Sequence, residues 1–177
     1  LYVILQLRPD ILVLPSGHFL QEPDSVFLLL HILQHYHLPP QDLTLEITDD
    51  ILITNNQAIF AIIEKIHRLG VRLSMDDFGT GYSSLSYLRR LDLDEIKLDK
   101  SFVHDLEHDE TSRTLSEAVI RIGESLQLSV IVEGVENEAQ RTLLSRQGYK
   151  IGQGFLFSEA LSAGKLEQWL EQRTASS

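Results

Sequence analysis

Short apolar runs alternate with longer segments of helical period along almost the whole chain, and this alternation constrains the fold more than any other feature. The runs are short and rich in β-branched residues, which is typical of buried strands. Strands are predicted at Tyr2–Leu7, Leu43–Ile47, Val71–Asp76, Glu95–Leu98, Ser129–Val132 and Tyr149–Gln153. Repeated βα units of this kind form a parallel sheet with helices packed on it.

The segments between the runs carry apolar residues at helical spacing. Helices are predicted from near Asp24 to the residues before Pro39, from Ala58 to Leu69, around Val119 to Leu128, from Asn137 to Arg146 and from Ala163 to Arg173. Gly70 stands where a C′ glycine ends a helix. A closed (β/α)₈ barrel has about 250 residues. We therefore expect an α/β fold, a TIM-like (β/α)₈ barrel that is incomplete and lacks its first βα unit.

The charge of the chain restricts its partners. There are 26 acidic and 15 basic residues, a net charge of −11, which is the wrong sign for binding polymeric nucleic acid. A small phosphate ligand requires metal ions that offset the local carboxylates. The absence of Cys excludes disulfides and thiolate metal sites and suits a reducing compartment, so a cytoplasmic location is expected, although a longer parent chain could be membrane-anchored.

Acidic residues recur where the predicted strands end. Glu46, the pair Asp76 and Asp77, and Glu133 each follow an apolar run, and Lys97 lies inside another run. The carboxyl ends of parallel barrel strands open on one face, so these residues are expected to converge. Clustered carboxylates repel one another unless a cation is bound, and oxygen ligands favour Mg²⁺, Mn²⁺ or Ca²⁺ over zinc. The alternative for any single acid is exposure to solvent.

The segment from Asp76 to Leu85, DDFGTGYSSL, is the most specific stretch of the chain. Gly79 and Gly81 permit a tight turn and close backbone approach. The adjacent aspartates could face two ions about 3.5 to 4 Å apart. The pattern differs from the dinucleotide fingerprint G-x-G-x-x-G.

Several motifs in a fixed order resemble the EAL family of cyclic-di-GMP phosphodiesterases. They are DDFGTGYSSLSYL from Asp76, Lys97-Leu98-Asp99, Glu133-Gly134-Val135-Glu136 and Gln153-Gly154-Phe155. Leu45 to Asp49 resembles the family's E-I-T-E strand end, with Asp49 in place of the last Glu. Val3 to Pro9 resembles its V-x-V-N-L-S-P strand. On this resemblance, residues 1–177 form one partial EAL-like domain, the C-terminal three quarters of a complete one.

The resemblance also implies roles for individual residues. The implied metal ligands are Glu46, Asp76, Asp77 and Gln6. The implied catalytic residues are Lys97, which positions or helps to activate the attacking water, Glu133 and Asp77. Gln153 and Gly154 would bind the nucleotide, and Asp49, Thr80 and Glu136 would support the loops of the site. The cofactor would be Mg²⁺ or Mn²⁺ in a two-metal site, and the reaction would be hydrolysis of cyclic di-GMP to linear pGpG.

The sequence also departs from the family pattern. No E-A-L tripeptide is present, Gln6 replaces the ligating Asn, and Glu159-Ala160 replace a basic residue and Pro. Three functions stay open: a hydrolase whose first strand is supplied by a parent chain or partner, a degenerate module that binds cyclic di-GMP or a protein without catalysis, and an inert remnant. We expect weak or no hydrolysis by this chain alone, a homodimer or other self-association, and sensory or GGDEF domains in a parent chain.

Overall fold

A computed structural model describes residues 12–15, 19–22, 24–48, 51–52, 57–80, 87–88 and 90–174. These residues contain one six-stranded parallel sheet in which the strands follow one another in sequence order. The strands are β1 Leu12–Pro15, β2 Leu43–Thr48, β3 Arg72–Phe78, β4 Glu95–Leu98, β5 Ser129–Val132 and β6 Ile151–Gly152. Sequential parallel order is the topology of a (β/α) barrel, here an incomplete one whose described edges are β1 and β6.

Helices connect the strands. They are α1 Ser25–His35, α2 Gln57–Arg68, α3 Lys100–His104, α4 Glu110–Leu126, α5 Glu138–Gln147 and α6 Ala163–Thr174, with 3₁₀ turns at Phe19–Gln21 and Pro40–Asp42. Their ends follow from local chemistry. Asp109 caps α4, accepting hydrogen bonds from the backbone N–H groups of Thr111 and Ser112, and α5 ends at Gly148 with a φ of +107°.

The core lies between the sheet and the helices that cover it. Apolar side chains of every strand from β2 to β5 are almost fully excluded from solvent, among them Leu45, Met75, Ile96 and Val132. Ile63 and Ile66 place the apolar face of α2 in the same core. None of the described helices combines the length and the apolar character needed to cross a bilayer.

Most predicted elements are confirmed, two of them to the residue. The segments Glu95–Leu98 and Ser129–Val132 are strands with the predicted bounds. The helices predicted from Ala58 to Leu69, from Asn137 to Arg146 and from Ala163 to Arg173 are present with ends shifted by one residue or less. The predicted strand Tyr2–Leu7 lies outside the described residues. The described strand that precedes β2 and pairs with it is Leu12–Pro15, which was not predicted because it is short and ends in proline.

Candidate metal centre

Four strands deliver the predicted site residues to one place. Glu46 lies on β2, Asp76 on β3, Lys97 on β4, and Glu133 follows β5 directly. The ammonium Nζ of Lys97 is 2.6 Å from Glu46 Oε1, 3.1 Å from Asp76 Oδ1 and 2.5 Å from Glu133 Oε1. The convergence predicted from the strand ends is therefore confirmed for these residues.

A β-bulge brings Asp77 to the same side as Asp76. In the ladder between β3 and β4, Met75 pairs with Ile96 and Phe78 with Leu98, so two residues of β3 stand opposite Lys97 alone. Asp77 has a φ of +55°, the left-handed conformation that accommodates an extra residue in a strand. Regular alternation would direct adjacent side chains to opposite faces of the sheet. Because of the bulge, carboxylate oxygens of Asp76, Asp77 and Glu133 lie within 4.8 Å of one another.

Burial and charge set the protonation states at this site. Burial by itself would lower the pKa of Lys97, but the carboxylates of Glu133, Glu46 and Asp76 outweigh it, and the pKa lies above its ordinary value. Burial raises the pKa of Glu133 to about 7 although Lys97 acts in the opposite direction. The pKa of Glu46 is raised by burial as well. Lys97 is therefore charged at neutral pH, and Glu133 is partly protonated there in the metal-free protein.

The residues present fit a divalent cation with oxygen ligands. Asp76 and Asp77 at the end of β3 and Glu133 after β5 offer three carboxylates, and Glu46 on β2 adds a fourth within ion-pair distance of Lys97. A single ammonium offsets only part of this negative charge. Close by, the buried side-chain oxygen Oε1 of Gln153 has no hydrogen-bond partner among the residues that the structure describes. All donors are oxygens, which suits Mg²⁺, Mn²⁺ or Ca²⁺.

The end of β6 is joined to the loop that carries Glu133. Gln153 Nε2 donates to Glu133 Oε1 at 2.5 Å, and the backbone N–H of Val135 donates to Gln153 O at 3.0 Å. Gly154 lies so close that an added Cβ would be 2.2 Å from Val135 O. Gln153 thus contacts the metal centre directly, whereas Gly154 permits the close approach of the two loops.

The residues predicted to support the loops of the site have different surroundings. Thr80 closes the turn after the bulge, because its Oγ1 donates to Asp77 O at 2.9 Å. Glu136 is exposed, and its backbone N–H donates to Gln140 Oε1 at 2.8 Å. Gln6 and Asp49 lie outside the described residues.

Gln140 is a residue of the site's framework that the sequence reasoning missed. It is buried, and it forms a capping box with Asn137 at the start of α5. Its Nε2 also donates to Val103 O at 3.3 Å, which joins the loop after Glu133 to α3. The spacing N-x-x-Q just before a helix was the available signal.

Comparison with known proteins agrees with this geometry. The sequence profile of the EAL domain matches residues 6–160. Signaling protein YkoW of Bacillus subtilis is 39% identical over 155 residues, which cover 88% of this chain. The cyclic di-GMP phosphodiesterase NbdA of Pseudomonas aeruginosa is 41% identical over 140 residues, which cover 79% of it. The chain spans only 19% and 18% of the lengths of these two relatives.

Solved structures give the same family. The P. aeruginosa MucR phosphodiesterase in complex with cyclic di-GMP superposes with a TM-score of 0.82 at 36% identity and covers 88% of this chain and 64% of its own. A manganese and cyclic di-GMP complex of BlrP1 from Klebsiella pneumoniae superposes with a TM-score of 0.77 at 34% identity and covers 84% of this chain and 38% of its own. The profile match spans most of the chain and includes every described residue of the metal centre. The chain belongs to the EAL domain family.

Proposed function

We propose that this chain is the EAL domain of a cyclic-di-GMP phosphodiesterase that hydrolyses cyclic di-GMP to linear pGpG. The observation that carries the proposal is the buried Lys97 ammonium held among Glu46, Asp76 and Glu133, with Asp77 brought alongside by the bulge. A binding module has no chemical need for a charged lysine among four carboxylates, whereas hydrolysis needs a positioned water and a receiver for its proton.

Each residue has a role that its surroundings support. Asp76, Asp77 and Glu46 would hold Mg²⁺ or Mn²⁺, which when bound offsets phosphate charge and makes water more acidic. Lys97 is charged, so it donates a hydrogen bond to the attacking water and cannot take its proton. Glu133, which lies beside Lys97 and accepts a hydrogen bond from Gln153, would bind a metal-linked water. Gln153 donates to the Glu133 carboxylate through its amide N–H, and its side chain would lie beside the nucleotide.

The activity is tested with cyclic di-GMP and Mn²⁺ or Mg²⁺, following pGpG by chromatography. We expect slow hydrolysis, with a further loss of about 100-fold or more in Lys97→Met and Asp77→Asn, because these groups contact the reacting atoms. Asp92→Asn is the matched control, since its side chain is 95% exposed. The proposal fails if the two site variants retain the parent rate.

A degenerate module that binds cyclic di-GMP or a protein partner without catalysis is the second candidate. Gln6 in the place of the family's ligating Asn and Glu159-Ala160 in the place of its basic residue and Pro favour it. Calorimetric binding of cyclic di-GMP with no pGpG formed would identify this function.

The wider setting of the domain is also a proposal. Because the chain spans less than a quarter of its first relatives, we infer that sensory or GGDEF domains accompany it in a parent protein. The lack of Cys suits the cytoplasm. The exposed side chains of Phe27, Leu28 and Tyr36 at α1 support self-association or a homodimer.

A further inference from the structure

Two glycines lie immediately after the carboxylates of the metal centre, and both touch the same short helix. Gly79 follows Asp77 by two residues with a φ of +102°, and Gly134 follows Glu133 directly with a φ of +71°. A Cβ added to Gly79 would lie 2.8 Å from two ring atoms of Phe102. A Cβ added to Gly134 would lie 2.5 Å from Lys100 Cβ. Both contacts fall on the first turn of α3, Lys100 to Phe102.

The sheet topology explains why one helix reaches both loops. The order β3-β4-β5 places the loop after β3 and the loop after β5 on either side of β4, and α3 follows β4 directly. The glycines let the two loops approach α3 more closely than any side chain would permit. The thickness of this turn therefore limits how near Asp76 and Asp77 can come to Glu133.

α3 is itself held firmly. Asp99 caps it by accepting a hydrogen bond from Ser101 N at 3.0 Å. Val103 is fully buried, and its carbonyl oxygen accepts the hydrogen bond from Gln140. A short helix that is fixed at both ends keeps a constant separation between the segments that pack on it, whereas a free loop would not.

We propose that the first turn of α3 is a spacer that sets the separation of the Asp76–Asp77 pair from Glu133 and thereby selects the size of the metal ion. Phe102 is the positioning residue on one side, acting through Gly79, and Lys100 Cβ is the contact on the other, acting through Gly134. The inference rests on the proposed metal-dependent function. Mg²⁺ needs oxygens at about 2.0–2.1 Å and Ca²⁺ at about 2.3–2.6 Å, so a change of a few tenths of an ångström in this separation alters their relative affinity.

The test is the ratio of the Mg²⁺ to the Ca²⁺ association constant, measured by calorimetry on the 177-residue chain. Phe102→Leu keeps an apolar side chain but removes the ring that packs against Gly79. Gly134→Ala adds a methyl group that displaces the loop after Glu133 from Lys100. We expect each to change the ratio about tenfold, the lower end of the effect typical for residues that orient metal ligands. A change only in fold stability would weaken both affinities together.

Two matched control variants distinguish the effect of the spacer contact from the effect of general backbone strain. Phe102→Tyr keeps the ring and should hold the ratio within about twofold of the parent. Gly148→Ala imposes a comparable backbone strain at a φ of +107°, remote from the centre, where an added Cβ would lie an ordinary 3.8 Å from Ile120. It should also leave the ratio unchanged. Folded Phe102→Leu and Gly134→Ala proteins whose ratios stay within about twofold of the parent would overturn the proposal.

Hydrogen exchange tests the spacer without any metal. Failure of the spacer proposal can therefore be distinguished from failure of the proposed function. If the parent binds neither ion, the metal-dependent function is wrong, and exchange decides whether the spacer exists. Phe102→Leu should speed exchange of the Thr80 amide, which donates to Asp77 O, by about tenfold. The Leu128 amide, which donates to Gly123 O on α4, should be unaffected. Equal acceleration of both amides, or of neither, would overturn the spacer.

Discussion

Lys97 is a buried charged residue whose ion pairs hold the metal centre together. Its side chain is 1% exposed and lies within ion-pair distance of three carboxylates. A buried charge is tolerated only when partners replace the water it has lost, and here the partners depend on the lysine as much as it depends on them. Removing the ammonium would leave Glu46, Asp76 and Glu133 close together with no counter-charge.

We predict that Lys97→Met lowers the free energy of unfolding by about 3–5 kcal/mol at pH 7.5 in metal-free buffer, because it leaves buried carboxylates unpaired. Urea denaturation measures the change. Lys150→Met, at an exposed position, is the control and should change the value by no more than about 0.5 kcal/mol. A loss below about 1 kcal/mol for Lys97→Met would mean that the carboxylates do not need the lysine.

Glu133 makes the stability of the metal-free chain depend on pH. Its pKa rises from 4.5 in the unfolded chain to about 7 in the folded one, so between these values the folded state holds a proton that the unfolded state releases. Its contribution to stability is therefore fully present below about pH 4.5 and is lost as the pH rises to about 7.

We predict that the parent loses about 2–3 kcal/mol more stability than Glu133→Gln between pH 5 and pH 8, since the glutamine cannot titrate. Urea denaturation in the presence of a chelator at both pH values gives this double difference. Parallel changes in the parent and the variant would contradict the raised pKa.

At the scale of elements, the sequence predicts the strand ends well and the bulge poorly. Glu46, Asp76, Lys97 and Glu133 follow from the position of each residue at or near the end of an apolar run. The bulge at Asp77 could not be predicted, because alternation in β3 runs unbroken to Met75 and the extra residue depends on pairing with β4. The strand end predicts Asp77 only as the neighbour of Asp76, and the bulge supplies the physical reason why both face the same site.

Two short elements were missed for related reasons. α3 has five residues, too few for a helical period to emerge. β1 has four and ends at Pro15, so it is recognised only through its pairing with β2. Tertiary contacts decide such elements, whereas α2 and α4 are long enough for their own periodicity to identify them.

The N-terminus of α5 gives a prediction at this scale. Asn137 Oδ1 accepts from Gln140 N at 2.9 Å, and Gln140 Oε1 accepts hydrogen bonds from the backbone N–H groups of Glu136 and Asn137. We predict that Asn137→Ala lowers the free energy of unfolding by about 1 kcal/mol through loss of the cap. Asn137→Ser, which can still cap, should stay within about 0.5 kcal/mol of the parent in the same urea titration. An equal loss in both variants would show that the cap is not the cause.

At the scale of the whole molecule, an acidic chain carries an uncharged apolar surface. The net charge is −11, yet α1 contains no Asp, Glu, Lys or Arg, and Phe27 and Leu28 on it are 74% and 50% exposed. Contacts between two copies through most other surfaces bring like charges together, whereas contacts through α1 do not.

We predict that the chain self-associates at tens of micromolar and that Phe27→Lys shifts light scattering towards the monomer, because the new charge would be buried in the contact. Leu115→Lys on α4 is the matched control, since Leu115 is 44% exposed but lies on a different helix. A monomeric parent, or equal effects of both variants, would contradict a contact through α1.

The sequential order of the sheet also bears on how the chain is made in the cell. Each described strand from β2 to β6 pairs with the strand immediately before it, so its partner has already left the ribosome when it emerges. None of the strands from β2 to β6 in the described part of the chain has to wait for a distant segment to pair, and each closed loop there is one βα unit long. The growing sheet can therefore add one strand at a time during synthesis. Its advancing edge is then exposed only for the interval that translation needs to deliver the next strand.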